Sequence, residues 1–166
     1  MKRMIIRLTQ KLAKKIKVNL SKNLPLDENP FADWSAHLFT AQRAHYIIMT
    51  NARSLYSIVM HGGRITNDDK FVYDALFYLR ELMTMDGALP IYHRYIIPTT
   101  GRIRFSRTCD KKVLGSMNDF IFQAKCVLSE SMATPFDAAI QINKSPMSML
   151  NHANPKEAFL SFIQEV

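Results

Sequence analysis

The 166-residue chain is 48% hydrophobic and carries a formal net charge of +8, which suits one folded domain over residues 1–166 and excludes a disordered or disulfide-stapled chain. Its apolar runs, such as Ala75 to Leu79, fall far short of the ~20 residues that span a bilayer, and the opening MKRMIIRLTQKLAKKIKV lacks the apolar stretch of a secretory signal, so no membrane partner is expected. Cys109 and Cys126 form no CxxC pair and no histidines cluster near them, which indicates neither a metal site nor a cofactor and suits a reducing cytoplasm.

The charge is lopsided. Residues 1–22 hold eight of the 22 basic side chains and no acid, and the other 14 are balanced by the 14 acidic ones. Ile5 to Leu8 reads as a short strand. Leu8, Leu12 and Ile16 then recur at helical spacing behind a Thr9 cap, with Lys11, Lys14, Lys15 and Lys17 mostly off the apolar stripe. Residues 19–30, with two prolines, read as a connecting loop.

Trp34 to Phe39, Ala44 to Thr50 and Ser54 to Met60 have strand composition and a turn around Asn51, which predicts an antiparallel meander. Thr66 with Asp69 resembles a capping box, and the apolar positions from Phe71 to Met83 trace a helix ending at Asp86-Gly87. Ile91 to Ile97 and Arg102 to Thr108 bracket PTTG and predict a hairpin. Its register would put Tyr95, Ile103 and Phe105 on one face and Arg94, Arg102 and Arg104 on the other.

Ser116 with Asp119 predicts the start of another helix through Leu128. Residues 136–142 fit either a strand or a short helix. Asn154-Pro155 opens a terminal helix docked by Phe159, Phe162 and Ile163. Strands in consecutive hairpins predict an α+β fold, its antiparallel sheet built of meander and hairpins with three to four helices packed mainly on one side.

Several residue groups could carry chemistry. In NPFADWSAHLF, Asp33 and His37 could serve as acid and base beside Trp34; the preferred reading is that Phe31 and Trp34 plug the core while Asn29 and Asp33 satisfy loop amides. VLGSMNDF offers amides at a helix start to an anion, though capping alone accounts for it. Cys109, near Arg107, Lys111 and Lys112, has the surroundings of a reactive thiolate but no nucleophile motif. Arg94, Arg102, Arg104 and Arg107, interleaved with Tyr92 and Tyr95, pair phosphate-gripping guanidiniums with rings on which bases stack.

The segments NPFADWSAHLFTAQRAHYIIMTNARSLYSIVM and VLGSMNDFIFQAKCVL, with IRLTQKLAKKIKV and NKSPMSML, resemble a functionally uncharacterised family of small bacterial single-domain proteins. The resemblance implies a bacterial cytoplasmic domain and marks Asn29, Asp33, Trp34, His37, Asn51, Ser116, Asn118 and Asp119. It implies no reaction. The leading expectation is non-enzymatic binding of RNA or DNA through Lys11, Lys14 and Lys15 of the N-terminal helix and Arg94, Arg102, Arg104 and Arg107 of the hairpin. Two alternatives stand beside it: a small hydrolase or transferase using Asp33 with His37, or Cys109, and a homodimerisation module using Tyr73, Phe77 or Tyr78 on the far side of the long helix.

Overall fold

Met4–Leu8 (β1) is apolar except for Arg7, and all five positions are buried. A run without polar alternation marks a strand covered on both faces. The computed structural model, which describes residues 2–20, 22–108 and 110–165, places β1 inside a five-stranded sheet. Its neighbours are β2 (Asp33–Ala41) and β5 (Ile103–Arg107), both parallel to it. β3 (Ala44–Asn51) and β4 (Ser57–His61) complete the order β4-β3-β2-β1-β5 by antiparallel pairing. Four strands therefore point the same way and end at one edge of the sheet, here termed the carboxyl edge, where β3 alone begins.

The sheet is thus mixed, whereas an antiparallel one was expected. The meander is present as β2, β3 and β4, but residues 91–97 form no strand and the arginine hairpin does not exist. The segment is helical: α3 (Leu89–Ile91), a wide π turn over Tyr92–Ile96 and a 3-10 turn over Ile97–Thr99. It buries Ile91, Tyr92 and Ile96, a spacing that fits a coil of helix and not the every-other rule of a strand. Pro90 and Pro98 bracket it, and a proline can donate nothing to a ladder. β5 pairs instead with β1, in the register Met4↔Ile103 to Leu8↔Arg107.

Five further helices accompany α3: α1 (Gln10–Lys15), α2 (Asp68–Met85), α4 (Lys111–Leu128), α5 (Pro135–Asn143) and α6 (Pro155–Ser161). The described residues hold six helices, not three to four, and β1 is buried on both of its faces. Residues 136–142 belong to α5, whose Thr134 and Asp137 form a reciprocal capping box. Asn67, not Thr66, caps α2 by accepting the Lys70 amide at 2.8 Å. Gly87 takes the left-handed conformation expected after that helix, at φ 71°.

Asp110 caps α4, its carboxylate accepting the amides of Lys112 at 2.9 Å and Val113 at 3.3 Å. The GSMNDF segment consequently lies inside the helix, not at its start, and its amides are spent on helical hydrogen bonds. Gly115 is an exposed interior position where an added Cβ meets nothing within 4 Å. Gly115→Ala is therefore expected to stabilise the fold by roughly 0.5–1 kcal/mol, read as a raised denaturation midpoint with unchanged slope.

The tryptophan segment is a core plug. Phe31 and Trp34 are fully buried, and the Trp34 Nε1–H donates to the Phe31 carbonyl at 2.8 Å. Phe159 of α6 meets them edge-on, with ring centroids 5.2 Å and 6.0 Å away, and stacks on Tyr56 at 4.3 Å. Phe162 joins this cluster, whereas Ile163, expected to dock as well, is exposed.

Candidate functional site

Asp33 opens β2 and its carboxylate is committed to Arg7. The two residues, 1% and 4% exposed, form a bidentate pair, Nε to Oδ1 and Nη2 to Oδ2, both at 2.9 Å. Arg7 also donates to Asn23 Oδ1 and to the carbonyls of Leu24 and Pro25, and Asp33 Oδ2 accepts the Asp27 amide at 3.1 Å. Residues 23–27 of the connecting loop are thereby held against the sheet by a buried ion pair whose remaining lone pairs and protons are satisfied, as such a pair requires. In sequence, the signal was a lone arginine inside an apolar strand.

His37 lies four residues further along β2, about 13 Å away at strand rise, so Asp33 and His37 are not brought together. The imidazole Nδ1 is buried and has no hydrogen-bond partner among the described residues. Burial, and then the positive charge of Lys11, lower the His37 pKa. The unfolded chain accordingly takes up a proton below the ordinary value of 6.5 that the folded chain resists. Stability is expected to be intact above about pH 6.5 and to fall as the pH drops below it. Denaturant unfolding at pH 7.5 and pH 5 should show this loss reduced in His37→Gln.

Lys11 reaches His37 because β2 outruns β1. The last pair between them is Leu8↔Ala36, and α1 fills the step, its entry held by the Thr9 amide on the Ala36 carbonyl at 3.4 Å. Lys11 and Lys14 are exposed and Lys15 half-buried, while Leu12 and Ile16 face the core. On the other side of β1, Arg107 ends β5 opposite Leu8 and is exposed. Lys14 and Arg107 therefore line one groove, with Gln10, Ala13, Val18, Asn19 and Leu20 and no acid among its walls; its volume is about 290 Å³.

The other arginines are placed elsewhere. Arg102 shares a surface hollow with Arg3, Asp27 and Glu28 at the opposite end of the sheet, where acids temper the charge. Arg104 is half-exposed on β5, opposite Ile5. Arg94 lies over the Tyr95 ring at 5.3 Å, and that ring stacks on Phe31 at 5.0 Å. Tyr92 is 4% exposed. Neither tyrosine presents a free face of the kind that stacking on bases needs.

Cys109 lies outside the described residues. Ser116 is buried on α4, and Asn118 and Asp119 are exposed on it. Asn51 is a fully buried structural side chain, donating to the Pro30 carbonyl and accepting the Ser54 amide. On α2, Tyr73 and Phe77 are exposed, but Tyr78 is stacked on Phe136 at 4.9 Å.

A second concentration of cations, not anticipated from sequence, also lies at the carboxyl edge. Arg43 from the β2–β3 turn, His45, His61 and Arg64 line a cleft with Lys70 and Asp74 of α2. Fold and site together define an α+β protein with a mixed five-stranded sheet whose carboxyl edge carries fixed positive charge. Compared with known families, the chain belongs to DUF6933, a domain of unknown function, matched over residues 5–158. No curated protein and no solved structure matches it. None of the helices among the described residues is long and apolar enough to cross a membrane.

Proposed function

We propose that the protein binds a polyanionic partner, the phosphate backbone of RNA or DNA, at the carboxyl edge of its sheet, with Lys11, Lys14, Lys15 and Arg107 as the phosphate contacts. The observation that carries this reading is the shared groove of Lys14 and Arg107. Parallel pairing of β1 and β5 brings the end of each strand, and the cation beside it, to one place. In sheets with parallel strands, ligands characteristically sit outside the carboxyl ends.

Arg94 and Arg102 have no part in this footprint, and Arg104 lies at its margin. The affinity comes from phosphates and carries little sequence preference, because contacts to the backbone hold no sequence information. The exposed free thiol of Cys126 suits a reducing, cytoplasmic setting. A fluorescently labelled 20-nucleotide single strand should bind at micromolar protein in 50 mM salt and be released as salt is raised. Unchanged anisotropy at low salt would refute the reading.

A further inference from the structure

From the cleft at the β3–β4 side of the carboxyl edge we infer a second anion site, one that takes a phosphomonoester. Four separate segments converge there: the β2–β3 turn supplies Arg43, the start of β3 supplies His45, the end of β4 and its loop supply His61 and Arg64, and the first turns of α2 supply Lys70 and Asp74. Among the described residues of the wall the only carboxylate, Asp74, is held by Lys70, Nζ to Oδ1 at 2.9 Å. Three fixed cations thus face one acid, leaving a formal excess of two before either imidazole is counted. Gathering like charges in a concavity opposes folding, and a dianion offsets that repulsion.

The donors are rooted at strand ends and in the short connections that follow them. His61 ends β4, and its ring lies against Tyr46, centroids 5.2 Å apart, which stacks on Phe39 at 5.7 Å. The Gly62 amide donates to the His45 carbonyl at 2.8 Å, tying the loop that carries Arg64 to β3. Arg43 is held at φ 63°, in the left-handed region of the tight β2–β3 turn, which fixes the root of its side chain.

Guanidinium groups match phosphate oxygens in a bidentate fork, and imidazole N–H groups add single donors. The same cations repel a divalent metal, so the two histidines act here as hydrogen-bond donors and not as metal ligands. A volume of about 570 Å³ accommodates a phosphate and an organic substituent of sugar or nucleoside size. The site is independent of the Lys14–Arg107 groove, since none of its lining residues is shared with it.

The test is a titration of the intact protein with inorganic phosphate and with phenyl phosphate at constant ionic strength, following the assigned imidazole C–H signals of all five histidines. The expected result is saturable shifts at His45 and His61, half-complete at millimolar or lower phenyl phosphate. Binding should weaken at least tenfold in Arg43→Asn/Arg64→Gln and stay unchanged in Lys14→Glu/Arg107→Glu. Shifts that rise linearly without saturating, that chloride reproduces, or that survive Arg43→Asn/Arg64→Gln would overturn the assignment. Saturation by sulfate as strong as that by both phosphates would replace a phosphomonoester site with a general dianion site, and so overturn it as stated.

Discussion

Asp33→Ala is expected to lower the free energy of unfolding by about 3–5 kcal/mol, the usual consequence of leaving a buried charge without its partner. The effect should be large because Arg7 is 4% exposed and cannot turn its guanidinium into water without leaving the sheet. It should also spread. The same guanidinium holds the carbonyls of Leu24 and Pro25, and Asp33 itself holds the Asp27 amide, so the variant should release residues 22–28 to limited proteolysis before it unfolds globally. Ser106, whose hydroxyl accepts the Leu24 amide at 3.1 Å, and Arg53, which donates to the Asp27 carbonyl at 2.7 Å, are ties that survive the substitution. Urea denaturation with a protease time course checks both effects. An Asp33→Ala protein as stable as the parent would mean that the pair contributes nothing net, and would reopen Asp33 as a functional carboxylate.

Charge reversal at the groove, Lys14→Glu with Arg107→Glu, should weaken binding of a single-stranded oligonucleotide by about 100-fold or more in 50 mM salt. The magnitude follows from counterion release. Each phosphate contact on a single strand contributes a slope of about 0.7 in log affinity against log salt, and at 50 mM that is worth roughly tenfold. Two contacts are lost and two repulsions added. Both side chains are exposed, so the fold should be unaffected, and the thermal midpoint is the control. Arg94→Ala and Arg102→Ala should bind like the parent, because one lies over Tyr95 and the other shares its surface with Asp27 and Glu28.

The elements read correctly from sequence were those whose period is carried by many side chains. α2 and α4 each repeat an apolar face over 18 residues, and β2 and β3 are joined by a short turn that fixes their antiparallel register. The errors fall where local pattern underdetermines pairing. Residues 91–97 hold as many β-branched and aromatic side chains as a strand, and only the flanking prolines argue otherwise. β5 could not be assigned to β1, because a parallel pair is made across nearly a hundred residues of chain and leaves no turn signature.

Function suffered in the same way. Lys14 and Arg107 were both singled out as basic, but their meeting depends on the β1–β5 register, which no local signal encodes. Asp33 and His37 share a face by spacing alone, yet the residue that settles the role of Asp33 is Arg7, 26 positions earlier. The cleft of Arg43, His45, His61 and Arg64 was invisible because its residues are scattered singly through β-strand ends and loops, where a charged side chain is ordinary.

The most direct measurement is the salt dependence of oligonucleotide binding for the parent protein and for Lys14→Gln/Arg107→Gln, plotted as log affinity against log salt. Binding at the carboxyl edge predicts that the variant's slope is shallower by about 1.4, two phosphate contacts fewer at about 0.7 each. Parallel lines for the two proteins, with equal slopes and equal affinities, would contradict it.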